Sequence, residues 1–328
     1  MTGDRFRYRF QRSNLLGTIV EVSFDVGDDS GPSDRSDEYA DLVADWLFVE
    51  FDRLQAVFSA FDASSELSRW RSGGRLEPSD ELAALLRDAR GWQQRTGGLL
   101  NPLAGELSDL WLEAEAAGRE PDPDSLQAAA EAIAAPRFSI LNGRPVPHAD
   151  CSRLNLNAIA KGHIVDRVVA TVARRFAVDN LLINAGGDLC HHGSTSARIG
   201  IENPHRPFDN EPPLHVIEIT NEAMAGSGPS RRGFVVGDRR FNHVLDPRTG
   251  RPATGSAGVS VVAGSALVAD VVATASSILP PAEAVAFIDE LDEVQDDPRM
   301  DGTIAGLVIA HDQTQHPSRR WRERFGRH

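Results

Sequence analysis

The spacing of apolar and polar residues predicts a series of helices and strands along the chain. Apolar side chains recur at helical intervals over residues 38–58, with Leu42, Leu47 and Leu54 on one face. The same spacing predicts helices at 78–92, 103–117, 125–134, 163–176, 265–279 and 282–291. Short apolar runs between turn residues predict strands at 17–24, 180–184, 197–202, 214–220, 233–236, 258–262 and 303–310. Because helices and strands come in blocks without regular alternation, we expect an α+β fold with a mixed, largely antiparallel sheet packed with helices.

The composition is that of an ordinary water-soluble protein. Of 328 residues, 41% are hydrophobic and 25% are charged, and the formal net charge is −14. This acidic balance argues against nucleic-acid binding, which requires a basic surface. Cys151 and Cys190 suit neither a disulfide framework nor a metal knuckle. No run reaches the ~20 apolar residues of a transmembrane helix, and the first residues lack a signal-peptide core. We therefore expect a cytoplasmic protein without membrane insertion.

The run NHVLDPRTG, residues 242–250, combines an imidazole, a carboxylate and a guanidinium within one predicted turn. The proline after Asp246 keeps that aspartate out of the helical region, and the Thr-Gly end makes a tight loop. His243 and Asp246 are therefore predicted to be presented from a rigid edge as candidate catalytic residues. The alternative is a surface turn in which Asp246 caps its own loop.

Lys161 is the only lysine of the chain, and the other 33 of its 34 lysine and arginine residues are arginine. Arginine cannot reproduce the compact ammonium of lysine or its readily shifted pKa. Lys161 is predicted to lie near a helix N-terminus, where anions bind readily, which suggests a phosphate or carboxylate ligand. The alternative is the chance survival of one lysine in an arginine-biased composition.

Asp270 and Thr274 are the polar residues in the centre of the apolar helix predicted at 265–279. Their i, i+4 spacing places them on one face, one turn apart. A buried carboxylate is costly unless it is paired or binds a metal, and hard oxygen ligands suit Mg²⁺. The alternative is a structural salt bridge to an arginine, with Thr274 bonded to a backbone carbonyl.

Several glycine-rich turns carry weaker signals. Gly186 and Gly187 follow a short apolar strand and would permit close backbone approach to a ligand, although a plain turn explains them as well. The pair 227–228 is a bare Gly-turn signal, and Phe61 either stacks on a planar ring or packs into the core. The adjacent His191 and His192 are predicted to be solvated. No P-loop or G-x-G-x-x-G signature is present.

Together these segments resemble the FAD:protein FMN transferase family, also called ApbE-like. The resemblance is ordered, covers residues 15–312, and rests on the segments LLGT, FSAFDASSELSRW, TGGLLNPLAGELSDLW, LNAIAKGHIVDRV, INAGGDL, GIENP, AGSGPSRRGF, NHVLDPRTGRP and ADVVATA. It implies one large ApbE-like domain at 15–312, preceded by a segment at 1–14 and followed by a charged C-terminal tail at 313–328.

The resemblance also implies a reaction: Mg²⁺-dependent cleavage of FAD, transfer of FMN to a Thr or Ser hydroxyl of an acceptor protein, and release of AMP. By resemblance, Asp270, Thr274 and the backbone carbonyl of Ala158 are the magnesium ligands. His243 is the acid/base, Asp246 orients it or contacts the flavin, and Lys161 provides electrostatic contact to phosphate. The residues implied to line or contact FAD are Phe61, Asn101, Lys161, Gly186, Gly187, Asp188, Ser227, Gly228, His243 and Asp246.

The chain departs from the family pattern at three places. Asn101 replaces an aspartate that touches FAD, Gly97 replaces a second acid, and Leu16 replaces the usual methionine. Two alternative functions therefore accompany the transferase. One is an FAD pyrophosphatase, in which water replaces the protein hydroxyl, and the other is a flavin-binding protein without catalysis.

Overall fold

The computed structural model describes residues 7–26, 33–73, 77–148, 151–206, 211–228, 233–294, 300 and 304–326. The helices are α1 Ser33–Phe58, α2 Glu66–Arg71, α3 Asp80–Arg95, α4 Gly105–Ala117, α5 Pro123–Ala134, α6 Asn157–Arg175, α7 Ala266–Ile278, α8 Pro281–Glu293 and α9 Arg319–Phe325. The strands are β1 Tyr8–Leu15, β2 Thr18–Val26, β3 Phe138–Leu141, β4 Arg144–Pro147, β5 Val178–Ala185, β6 Asp188–Gly193, β7 Ala197–Ile201, β8 His215–Ile219, β9 Ala223–Ser227, β10 Gly233–Val236, β11 Arg239–Asn242, β12 Gly258–Ala263, β13 Ala305–Ile309 and β14 Gln315–Pro317.

Eight of the strands form one sheet in the order β1-β2-β5-β6-β9-β12-β13-β14. Each neighbouring pair in it is antiparallel. Three two-stranded ribbons, β3-β4, β7-β8 and β10-β11, accompany the sheet. The predicted α+β class with a largely antiparallel sheet is confirmed.

Two hydrophobic clusters cover the two faces of the sheet. On one face, α6 and α7 pack against each other and against the central strands. On the other face, the β7-β8 ribbon and Trp321 of α9 cover Leu189, Val262 and Leu307. Neighbouring residues of β12 divide between the faces, since Val261 belongs to the first cluster and Val262 to the second, as the two-residue period of a strand requires.

Helix α7 lies at the centre of the larger cluster. Of its residues, only Thr274 is more than marginally exposed. An apolar sequence on all sides is typical of a helix enclosed by other elements, and α7 packs on α6, α8, β9 and β12. Among the described residues, no helix combines the length and apolar content needed to cross a bilayer.

The structure differs from the predicted elements in several places. The helix predicted at 163–176 begins at Asn157, and Leu42 points to solvent although it was assigned to the apolar face of α1. The prediction of a solvated histidine pair is wrong for His191, which lies in β6 with 1% exposure. Strand β14 pairs into the main sheet and Trp321 is buried, so the segment assigned as a tail takes part in the core. Residues 1–6 and 327–328 of the two assigned end segments lie outside the described part.

Candidate active site

A large open cleft of about 2330 Å³ brings most of the predicted site residues together. Those that line it are Phe61, Asn101, Ala158, Lys161, Gly186, Gly187, Ser227, Gly228, His243, Asp270 and Thr274. Two further predicted residues, Asp188 and Asp246, are not among the lining residues. Part of the segment AGSGPSRRGF, residues 229–232, lies outside the described residues.

The cleft wall depends on a close crossing of α6 and α7 at Gly162. A Cβ added at this glycine would lie 2.4 Å from the carbonyl oxygen of Ala266 and 2.7 Å from the nitrogen of Leu267. Both neighbours are backbone atoms, so no side chain fits without moving one helix. Gly162 thereby allows the start of α6 to approach α7 closely enough for Ala158 and Asp270 to line one wall.

Asp166 fixes the same crossing one turn later. Its two carboxylate oxygens accept hydrogen bonds from the backbone N–H groups of Ala266, at 2.7 Å, and Leu267, at 2.9 Å. Ser265 adds an N-cap bond from Val268. These acceptors occupy N–H groups that a helix N-terminus leaves without intrahelical partners, so α6 caps α7 as well as packing against it.

Asp270 lies at this crossing with an oxygen available for a ligand. Its Oδ2 atom is buried and has no partner of regular hydrogen-bond geometry among the described residues, whereas the backbone N–H of Gly162 bonds to the carboxylate and the Asp188 carboxyl group lies within hydrogen-bonding reach of it. In a regular helix that N–H is directed at the carbonyl of Ala158. Together with Thr274, one turn beyond Asp270, these oxygens could hold a hard cation.

Lys161 and Asp188 form an ion pair against Asp270. The Lys161 Nζ atom is 2.6 Å from Asp188 Oδ2, and the Asp188 side chain is 1% exposed. Burial raises the pKa of Asp188, and Lys161 opposes this shift. Burial also raises the pKa of Asp270 well above its usual range, with a further increase from Asp188. One ammonium therefore faces two enclosed carboxyl groups.

The Gly186-Gly187 turn joins β5 to β6 and forms another part of the cleft. Both glycines have positive φ, 64° and 100°, which favours glycine. A Cβ at Gly186 would lie 2.3 Å from Thr18 Oγ1, so the turn packs directly on the start of β2. The N–H of Gly187 donates to Asn184 Oδ1 at 3.0 Å, and both glycines are exposed in the cleft.

In the loop after β11, His243 and Pro247 line the cleft, while Asp246 bonds within the loop. The Asp246 carboxylate accepts from the Arg248 backbone N–H at 2.9 Å and pairs with the Arg248 guanidinium at 2.9 Å. This is the turn-capping arrangement that the sequence left open as the alternative. The loop is braced by Trp111, whose Nε1–H donates to the Gly250 carbonyl at 2.9 Å.

The Asn101 amide is occupied by the protein itself. Its Nδ2 donates to the carbonyl of Ile133 at 2.9 Å, and its Oδ1 accepts from the N–H of Leu103 at 2.9 Å. An aspartate could not make the first bond at neutral pH because an ionised carboxylate has no proton to donate. Phe61, by contrast, is 83% exposed in the cleft, so its ring is available for stacking.

The residues that sequence reasoning missed are those that support the wall. Gly162 and Asp166 lie within the recognised segment LNAIAKGHIVDRV, but their packing partners are about 100 residues away. Ser277 was also missed: it receives a bond from Ser227 Oγ at 3.1 Å and donates to the Thr274 carbonyl at 2.8 Å. The signal that could have found Gly162 and Asp166 is their four-residue spacing, which places both on the face of α6 that packs against α7.

Comparisons with known proteins agree on one family. The profile of the ApbE family matches residues 16–296. A Treponema pallidum protein named FAD:protein FMN transferase is 30% identical over 313 residues, covering 88% of this chain and 84% of its own length. A Rhodobacter capsulatus protein of the same name is 32% identical over 268 residues, covering 80% of this chain and 49% of its own. The apo structure of a Pseudomonas stutzeri flavinyl transferase has the same fold, with a TM-score of 0.77 and 21% identity over 98% of this chain and 97% of that one.

Proposed function

The chain belongs to the ApbE family, and on this premise we propose that it is an FAD:protein FMN transferase. In this reaction an acceptor hydroxyl oxygen attacks the FMN phosphorus of FAD. The phosphoester bond to the acceptor forms, the pyrophosphate bond breaks, and AMP leaves with the bridging oxygen. The observation that carries the proposal is that Asp270 and Thr274 of α7 and His243 of the loop after β11 line one cleft large enough for a dinucleotide.

The donor set fits a magnesium ion. Asp270 offers a buried carboxylate oxygen, and Thr274 and the Ala158 carbonyl provide neutral oxygens in the same cleft. Among the described residues, no group of three or more His, Cys, Asp or Glu is placed to hold a metal. Mg²⁺ usually binds to one or two carboxylates and keeps water and phosphate oxygens in its shell. When bound, Mg²⁺ would neutralise charge that develops on the pyrophosphate.

His243 is the group we propose for proton transfer. It is exposed in the cleft, on a loop held by the Asp246–Arg248 pair and by Trp111. It would accept the proton of the acceptor hydroxyl as the new phosphoester bond forms, a role typically worth about 10²–10⁴-fold in rate. Because Asp246 is engaged by Arg248, its proposed part is to fix the loop that carries His243.

The remaining predicted residues are assigned to binding FAD. Lys161, held by Asp188, would place its positive charge beside the phosphates, and Phe61 would stack on the flavin ring. The backbone at Gly186, Gly187, Ser227 and Gly228 would line the cofactor. Asn101 would contact FAD only through atoms that its bonds to Ile133 and Leu103 leave accessible.

We propose that the acceptor is a protein with a Thr or Ser hydroxyl in an exposed segment, and that the reaction takes place in the cytoplasm. The two free, buried cysteines support a reducing compartment. Detection of covalent FMN on a cytosolic protein, dependent on this chain, would test both statements.

The experiment that tests the function combines purified protein with FAD and Mg²⁺, with and without an acceptor segment, and quantifies AMP, free FMN and covalent FMN. We expect covalent FMN and AMP in equal amounts. AMP with free FMN, even when several acceptors are supplied, would indicate a pyrophosphatase instead. Bound FAD without any AMP would indicate a flavin-binding protein.

A further inference from the structure

One cationic side chain in the cleft wall has no part in the chemistry proposed above. Arg71 ends α2, directly after the segment FSAFDASSELSRW, and its side chain lines the cleft. Its Nη1 donates to the carbonyl of Leu154 at 2.5 Å, and its Nη2 donates to the carbonyl of Ala60 at 2.6 Å. Both bonds are charge-assisted, and one of them connects residues 83 positions apart. A single planar group therefore joins two loops.

The first of these loops carries Phe61. Its local shape comes from Ser59, whose Oγ accepts from the N–H groups of Phe61 at 3.2 Å and Asp62 at 3.1 Å. These bonds define the turn but do not attach it to the rest of the cleft. The hydroxyls of Ser65 and Ser68 tie the Ser59 carbonyl to α2, and the bond from Arg71 to Ala60, the residue before Phe61, connects the loop through the same guanidinium to Leu154.

The second loop leads to Ala158. The Leu154 carbonyl that Arg71 binds lies four residues before it, and the next residue, Asn155, donates its N–H to the carbonyl of Pro102 at 2.7 Å. Asn155 Oδ1 then accepts from the N–H of Asn157, the first residue of α6. The segment from Leu154 to the start of α6 is therefore short and is fixed by hydrogen bonds at Leu154, Asn155 and Asn157.

We propose that Arg71 is a positioning residue that fixes the Phe61 loop relative to the Ala158 carbonyl before any substrate binds. The meaning of those two positions rests on the proposed function, since Phe61 would hold the flavin and Ala158 the metal. A guanidinium suits this task because its donors lie in one rigid fork, whereas the ammonium of lysine is a single mobile point. The alternative is that Arg71 only stabilises the C-terminal end of α2.

Hydrogen exchange without ligand tests the link between the loops directly. The variants are Arg71→Met and Arg71→Lys, with Arg69→Met as the matched control, because Arg69 is an exposed arginine on the same short helix. We expect faster exchange in peptides covering both 58–62 and 153–158 in the two Arg71 variants, by about tenfold or more, and no change in the control. Unchanged exchange in either loop would overturn the proposal, as would a uniform increase across the whole chain.

Binding and turnover provide the second readout. In Arg71→Met we expect a higher dissociation constant for FAD and a higher half-saturating Mg²⁺ concentration. We also expect kcat/KM for AMP release to fall about 10–100-fold, the scale expected when reacting groups are misplaced. A lower melting temperature with wild-type values for all three would show that Arg71 only stabilises α2. If the wild-type protein releases no AMP, the proposed function fails, but the exchange experiment still decides whether Arg71 links the loops.

Discussion

Gly162→Ala is the substitution with the most informative expected outcome, because it adds one methyl group where two helix backbones meet. The new Cβ would lie 2.4 Å from the Ala266 carbonyl oxygen, whereas ordinary contact begins at 3.4 Å. The clash is therefore relieved only if α6 and α7 separate by about 1 Å. That movement also strains the hydrogen bonds that the Asp166 carboxylate accepts from the N-terminus of α7. It likewise strains the hydrogen bond that the Gly162 N–H donates to Asp270.

The effects on stability and on activity should differ greatly in size. Overpacking typically costs ~1–3 kcal/mol, and the gain in helix propensity from glycine to alanine offsets about 1 kcal/mol of it. The net loss of unfolding free energy should therefore be modest, about 2 kcal/mol or less. Activity depends on where Ala158 and Asp270 lie relative to each other, and a displacement of about 1 Å can cost about 100-fold in rate.

The assay is AMP release from FAD and Mg²⁺, measured together with a denaturant unfolding curve. Gly91→Ala is the matched control, since Gly91 is also inside a helix but a Cβ there meets nothing within 4 Å. The control should keep full activity and gain up to about 1 kcal/mol of stability. Wild-type AMP release by Gly162→Ala would refute the view that this crossing positions the site.

Three further substitutions test separate parts of the site. Asp270→Ala should abolish Mg²⁺-dependent AMP release with the circular dichroism spectrum retained, and Mg²⁺ should raise the melting temperature of the wild type but not of this variant; unchanged AMP release would disprove the metal assignment. His243→Ala should slow transfer about 10²–10⁴-fold with little change in FAD affinity, so an equal loss of both would indicate a structural role. Asn101→Asp should lower the unfolding free energy by ~1–3 kcal/mol, because the Ile133 carbonyl loses its donor; tighter FAD binding at unchanged stability would contradict this.

Elements with a strong local pattern were predicted within a few residues. The helix expected at 265–279 is observed as Ala266–Ile278, and the strand expected at 233–236 is observed with those bounds. The central strands β6 and β9 were missed. Strand β9 reads AMAGS, with small residues of low strand propensity. Strand β9 lies beneath α7, and a helix can approach a sheet closely only over small side chains, which explains why this strand is built from small residues.

The candidate site, like the fold, has residues that the sequence predicts and residues that it does not. Eleven of the predicted site residues line the cleft, and they lie in segments with recognisable motifs. Arg71, Gly162 and Asp166 act through carbonyl and N–H groups that are distant in the chain. No local pattern specifies such partners, since any backbone offers the same groups. Asp246 is the opposite case. The sequence motif marked it as a site residue, but its carboxylate binds Arg248 of its own turn.

The charges at the helix crossing are better explained by the binding of a cation than by a contribution to the stability of the fold. Asp188 and Asp270 are almost fully enclosed, and Lys161 is the ammonium paired with them. If all three groups are ionised, the cluster keeps one uncompensated negative charge, and enclosing such a charge is costly. An apolar residue at 270 would avoid that cost, and α7 is apolar at nearly every other position. Without a metal, the raised pKa of Asp270 relieves this cost by favouring the protonated carboxyl group, whereas a divalent cation would compensate the ionised form, which gives the carboxyl group at this position a use in binding a metal.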